Sequence, residues 1–395
     1  MMKPKVKSGI VGSGFAASFH LSSLRRVANV DVEVVGVYSP TSKNRDLFSA
    51  KHGIHSYSAV EDLISDVDVV HVCTPAATHE SIGIAALRQD RFVIIEKPFT
   101  GYFGSGRSDF DGDSFPRAEA LDEATASISR LHQAERASEG QILYAENWVY
   151  APAVQREREV IEKTGAQVLW IHGEEAHSGS HSKYYGMWSH SGGGSLMGKG
   201  VHPLTAALYL KRVEGRSMGN PIRPIRVSAN LHAITRSPRY RDEGFIRTGY
   251  TDIEDFAHLH VIFEDDTFAD IFASEIVMGG VHNWLEVAAN NHRAIVNINP
   301  NDAFKTYNPR EEQFSDIYVV EKTGTKQGWA FTSADEDWFT GYHHEMEAFY
   351  SNVVEGSVPE SDSELAGDTI SCVYAGYSSA ELNGAIVDIP PVEYE

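Results

Sequence analysis

The sequence predicts an α/β chain: a parallel sheet wound with helices, then an α+β part built on an open-faced, mainly antiparallel sheet. Over the first 148 residues short apolar segments alternate with helical ones, and a glycine-rich turn closes the first of them. From residue 149 onward, long strand-like segments follow one another directly. Alternation of strand and helix is the pattern of a parallel sheet, and strands following strands that of an antiparallel one. A length of 395 residues makes two domains the natural expectation, divided here as 1–148 and 149–395.

Residues 6–11 form a short apolar strand and 15–27 a helix. A second strand, 32–38, is rich in β-branched residues, and 41–52 is a polar helix with Gly53 as its stop. A short helix at 61–64 precedes the strand 67–73, which Thr74-Pro75 closes. Helix 79–88 leads to strand 92–95. The near-continuous apolar run Val69-Val70-His71-Val72 fits a sheet covered on both faces. An irregular stretch, 101–117, precedes a helix at 118–138 and a last strand at 141–146. In the second part, strands are expected at 168–175, 227–235, 255–263, 267–277, 284–289 and 293–298, with Asp265-Asp266 as a hairpin turn. Helices at 343–354 and 368–383 close the chain.

Composition narrows the function. The net charge of −21 argues against nucleic acid and anionic membranes as partners. Only Cys73 and Cys372 occur, which points to a reducing compartment and no disulfide framework. No apolar run approaches the ~20 residues that span a bilayer. A cytoplasmic location is expected.

The turn Gly12-Ser13-Gly14-Phe15-Ala16-Ala17 lies between the first strand and its helix. Gly12 permits the turn, Gly14 lets backbone approach a pyrophosphate, and Ala17 allows close packing of helix on strand. The helix N-terminus offers unpaired N–H groups to the phosphates. Together they describe a Rossmann dinucleotide-binding domain. The end of the second strand, where an acid would bind the adenine ribose of NAD, is Ser39. Lys43 and Arg45 just beyond would suit the extra phosphate of NADP. NAD is the expectation, with NADP left open.

Glu96-Lys97-Pro98 follows the strand 92–95, at the edge where open α/β sheets bind ligands. A lysine there can stabilise an alkoxide as hydride leaves. These motifs, with Thr74-Pro75, His79 and Gly192-Gly193-Gly194 ahead of His202, resemble the glucose–fructose oxidoreductase and inositol dehydrogenase family over nearly the whole chain. The resemblance implies a cofactor held by Gly12, Gly14, Phe15, Ala16, Ser39, Thr74, Pro75, His79, Glu96 and Lys97. It implies Lys97 as a catalytic lysine, His202 as the acid/base, and homo-oligomers joined through the open sheet. One departure matters: the aspartate expected four residues before the histidine is Gly198, with Lys199 beside it. That leaves the histidine without its usual carboxylate and makes Lys199 a candidate on the same helix face. Pro203 disfavours helical backbone at His202.

Tyr102, in a loop longer than in shorter family members, is expected to wall the substrate pocket. His181, Tyr184 and Trp188, just before the triple glycine, are expected substrate contacts. Asn147 and Tyr150, at the domain junction, are placed near the nicotinamide. The run Asp109-Phe110-Asp111-Gly112-Asp113 resembles the opening of a calcium loop with its glycine displaced, and no metal is expected. The function expected is oxidation of a secondary hydroxyl of a sugar or glycoside, its 3-hydroxyl included, by hydride transfer to NAD(P). The alternatives are an inositol or polyol dehydrogenase and, in another class, a non-catalytic dinucleotide-binding sensor.

Overall fold

In the computed structural model, which describes residues 3–180, 185–299, 304–317, 325–332 and 335–392, two large sheets form the frame. The first uses β1 (Lys5–Val11), β2 (Asp31–Tyr38), β3 (His55–Ser56), β4 (Val69–Val72), β5 (Phe92–Glu96) and β6 (Ile142–Ala145). Its order is β3-β2-β1-β4-β5-β6 and every pairing is parallel. Helices α1 (Phe15–Leu24), α2 (Ser42–His52), α3 (Val60–Asp66), α4 (His79–Leu87) and α5 (Arg117–Arg136) alternate with the strands. β4 is buried along its whole length, each aliphatic side chain contributing about 1.5–3 kcal/mol. The order reverses between β1 and β4, which opens a crevice above the C-terminal ends of those strands.

Short α6 (Asn147–Tyr150) and α7 (Pro152–Thr164) lead into β7 (Val168–Ala176); short α8 (Trp188–Ser191) precedes the long α9 (Val201–Met218). There follow β8 (Pro224–His232), β9 (Phe256–Phe263), β10 (Phe268–Ser274), β11 (His282–Ala289) and β12 (Arg293–Asn297), and the separate hairpin β13 (Phe304–Asn308) and β14 (Gly328–Thr332). Short α10 (Glu336–Phe339), then α11 (Tyr342–Glu355), α12 (Ser363–Glu381) and β15 (Val387–Asp388) complete the described chain. The second sheet runs β12-β11-β7-β10-β9-β8-β15 and is antiparallel except where β7 and β10 lie parallel. Its strands alternate: Ala257, Leu259, Val261 and Phe263 of β9 are buried, while His258, His260 and Ile262 between them face outward and are partly exposed. α9 and α12 cover the buried face. The other carries an aromatic and histidine array, with His172 on Trp284 at 4.7 Å and His258 on Phe272 at 4.5 Å.

Beyond the expected elements the structure has α7, the full length of α9 and the β13–β14 hairpin. α1 stops at Leu24, short of the expected 27. His202 lies inside a helix despite Pro203. A widened π turn, Leu196–Gly200, runs directly into α9 and relieves the crowding that a proline imposes on a regular helix.

Candidate active site

The crevice above the first sheet holds the dinucleotide loop. Gly12 has φ +121°, and a Cβ there would lie 2.2 Å from Cys73 O, so only glycine fits. Gly14 caps α1 with no side-chain hydrogen bond, and a Cβ built on it meets nothing within 4 Å. An uncapped helix end beside open space is what a pyrophosphate requires, so these residues fit a dinucleotide. Phe15 is 69% exposed at the rim, and both it and Ala16 line the cavity described below. Ser39 ends buried beyond β2 and its carbonyl accepts from Arg45 Nη1 at 3.2 Å. Arg45 Nε also donates to Ser56 Oγ at 3.0 Å, so this cation is committed to the protein. His79 is buried with its ring nitrogens 2.9 Å from Thr74 O and Pro98 O. It braces the Thr74-Pro75 turn against the Lys97 loop and does not reach the cavity.

A cavity of about 290 Å³ lies between the two sheets, lined by Phe15, Ala16, Glu96, Lys97, Asn147, Glu175, Lys199 and His202 among others. Seven of the site residues expected from the sequence thus meet in one space: Phe15, Ala16, Glu96, Lys97, Asn147, Lys199 and His202. Close packing brings α9 there. A Cβ on Gly173 would lie 2.8 Å from Pro203 Cβ, so the bare backbone of β7 lets the start of α9 seat against the sheet. Pro203 has no N–H to offer the carbonyls one turn back. Lys97 Nζ donates to one of them, Gly198 O, at 3.0 Å.

The missing aspartate is replaced from elsewhere. His202 Nδ1 is 2.6 Å from Glu146 Oε1, and its ring stacks on Trp148. Glu146 follows β6 just as Glu96 closes β5, so both carboxylates sit at strand ends facing the crevice. Nε2 points toward Glu175 Oε2 at 3.9 Å, beyond hydrogen-bond reach. A Cβ at position 198 would lie 1.3 Å from the Tyr185 hydroxyl, so a side chain there requires Tyr185 to move. Lys199 Nζ lies over the Tyr185 ring and 3.7 Å from the buried carboxylate of Glu275.

Burial sets the proton affinities. It pushes His202 down to about 3, assisted by the Lys97 and Lys199 cations, so the imidazole is neutral at pH 7. It pushes the Glu146 carboxyl up to about 8 against the attraction of Lys97. Burial also lowers Lys97, and Lys199 lowers it further, while Glu175, Glu146 and Glu96 act in the opposite sense. Glu96 holds a buried chain: His20 Nε2 at 2.8 Å, His20 Nδ1 to His71 Nδ1 at 2.8 Å, and His71 Nε2 to Tyr350 OH at 2.9 Å. Glu96 thus faces the cavity with its carboxylate already anchored.

Several expected contacts are core residues instead. Tyr102 and Trp188 are 2% and 1% exposed and pack with Phe110, Phe115 and Tyr377. Trp188 Nε1 donates to Tyr102 O at 3.0 Å, and Arg117 stacks over both Phe115 and Trp188. The long loop folds into its own aromatic core, in which Tyr102, Phe110 and Phe115 pack on one another. Tyr150 is buried with its hydroxyl 3.0 Å from Ser361 Oγ, away from the cavity. His181 and Tyr184 lie outside the described residues. In the aspartate run, Asp113 is paired with Arg236 and Asp111 accepts from Ser114 Oγ at 2.9 Å. Among the described residues no group of three or more His, Cys, Asp or Glu is arranged to hold a metal. Also among them, no helix is long and apolar enough to cross a membrane.

Residues 6–106 match the family described as "Oxidoreductase family, NAD-binding Rossmann fold". That match assigns an NAD-binding Rossmann fold of the oxidoreductase type to residues 6–106. The cofactor class of the family, NAD, agrees with the open cradle at Gly14. Glucose-6-phosphate 3-dehydrogenase of Bacillus subtilis is 33% identical over 92 residues, 23% of this chain and 26% of that protein. Inositol 2-dehydrogenase of Salmonella typhimurium is 37% identical over 99 residues, 24% of this chain and 29% of that one. UDP-N-acetylglucosamine 3-dehydrogenase of Acidithiobacillus ferrooxidans is 25% identical over 95 residues, 24% of this chain and 29% of that one. The chain thus spans under a third of the length of these relatives. GenD2 from gentamicin A biosynthesis, solved in complex with NAD, superposes with a TM-score of 0.78 at 20% identity, covering 99% of this chain and 98% of its own. Myo-inositol 2-dehydrogenase from Lactobacillus plantarum superposes at 0.72 and 15% identity, over 98% and 100%. These likenesses show that the second, open-faced sheet is part of the same fold.

Proposed function

We propose that the protein oxidises a secondary hydroxyl of a sugar or glycoside by hydride transfer to NAD. The observation that carries this is the meeting of Lys97 and His202 in one cavity, the histidine held from behind by Glu146, beside the uncapped start of α1. A nicotinamide, when bound, supplies the hydride acceptor. With Nδ1–H held by ionised Glu146, His202 presents an unprotonated Nε2 to the hydroxyl. The O–H proton passes to Nε2, the carbon's C–H electron pair leaves with hydrogen as hydride, and a carbonyl remains. Lys97 holds the oxygen while negative charge develops on it. The names of two relatives, both 3-dehydrogenases, favour the 3-hydroxyl and a 3-keto product. The partly exposed aromatic face of the second sheet favours a homo-oligomer.

Lys97→Ala tests the assignment. Turnover, followed as reduced-nicotinamide absorbance, should vanish on a panel of sugars, glycosides and inositols, while NAD binding by calorimetry persists. Retained turnover refutes the role of Lys97, and wild-type protein that binds no NAD refutes the reading as a whole.

A further inference from the structure

One wall of the cavity has a chemistry that the hydride-transfer reading does not use. It is drawn from β7, β11, the segment that follows β12, and α10. Asn283 of β11 stands opposite Glu175 of β7 in the sheet register, and its carbonyl accepts from Ile298 N at 2.9 Å. The next residue, Asn299, donates through Nδ2 to Glu336 Oε1 of α10 at 2.9 Å, and Asp337 follows. All five line the cavity.

This wall is made of acceptors. Glu175 is 7% exposed, and its Oε2 has no hydrogen-bond partner among the described residues. Asn299 is 4% exposed; with Nδ2 committed to Glu336, its Oδ1 is likewise left unsatisfied among the described residues. A buried acceptor without a donor costs free energy that a ligand's donor recovers. Of the cavity's lysines, Lys97 donates to Gly198 O and is attracted by Glu175, while Lys199 lies against Glu275, which leaves Glu336 and Asp337 as the carboxylates farther along the wall. His343 and then Arg26, both outside the cavity lining, are the positive groups that act on Asp337, and Arg26 also lies 3.7 Å from Asp335.

We propose that the substrate carries an ammonium group, and that Glu175, Asn299, Glu336 and Asp337 select an amino sugar or aminocyclitol over neutral and anionic sugars. The proposal rests on the oxidoreductase reading above. An –NH₃⁺ supplies three donors and the charge that three carboxylates oppose. A phosphate or nucleoside diphosphate at this wall would add only acceptors and like charge. The selectivity thus parts from the phosphorylated and nucleotide sugars named for two of the relatives.

The test is calorimetric binding to NAD-loaded protein, with turnover measured in parallel, for glucosamine, 6-amino-6-deoxyglucose, glucose and glucose 6-phosphate. At least one amino sugar should bind roughly ten- to a hundredfold more tightly than glucose, less so at high salt, with glucose 6-phosphate weakest. Glu336→Gln/Asp337→Asn should remove most of that advantage by raising KM more than it lowers kcat. Equal or tighter binding of glucose or its phosphate overturns the proposal, as does failure of all four to bind. An amino sugar that binds with preference but is never oxidised supports the wall and refutes the oxidoreductase reading. Oxidation of neutral glucose without any preference does the reverse.

Discussion

Substituting Glu146 by Gln separates orientation from ionisation at His202. The carboxyl is fully buried, 2.6 Å from Nδ1, and burial has moved it from its ordinary 4.5 up to about 8. While it is protonated it donates to Nδ1, and Nε2 carries the hydrogen and cannot accept one. Once ionised, it accepts from Nδ1–H and Nε2 becomes the base. Roughly a tenth of the molecules are in the second state at pH 7 and roughly nine tenths at pH 9. The kcat/KM of the wild type should therefore rise about tenfold per pH unit below 8 and level off above it. Glu146→Gln accepts from Nδ1–H but never ionises, so its profile should be flat through that range and its rate lower by about 10²–10⁴-fold. Stability gives an independent readout. The folded chain holds this proton more tightly than the unfolded one, so stability is full below about pH 4.5 and declines as pH rises toward 8, by on the order of 5 kcal/mol. The Gln variant should lack this decline in denaturant melts taken at each pH. A variant that keeps both the rising rate limb and the decline would show that another group titrates, and the assignment would fail.

Gly198→Ala should cost about 1–3 kcal/mol in thermal melts and much of the activity, because the added methyl meets the Tyr185 hydroxyl. An unchanged melting temperature would mean Tyr185 does not seat there. Trp188→Phe should lower stability by about 1–3 kcal/mol without altering KM, as befits a core ring; a selective rise in KM would return Trp188 to the substrate. Trp284→Glu, on the open face of the second sheet, should shift sedimentation from oligomer to monomer, and an unchanged sedimentation coefficient would exclude that face as the interface.

The glycine loop and the strand–helix alternation were legible because each depends on local geometry. A turn at positive φ demands Gly12, and the period of apolar residues marks strands and helices regardless of what they later touch. Lys97 was legible for the same reason, since it lies where a parallel strand ends. Glu146 was not recognised, although it ends β6 as Glu96 ends β5, because its role depends on a helix 56 positions later in the chain. Only the close seating of Pro203 on Gly173 brings His202 to that carboxylate. The same limit explains Tyr102 and Trp188. An aromatic residue near a catalytic motif reads the same from the sequence whether its ring lines a pocket or fills a core. Its neighbours in space, here Phe110, Phe115 and Tyr377, decide the matter. Sequence determined which backbone shapes and which reactive groups this chain possesses. Tertiary packing decided which of those groups share a proton, because burial and contact between distant segments set the distances and desolvation on which proton affinity depends.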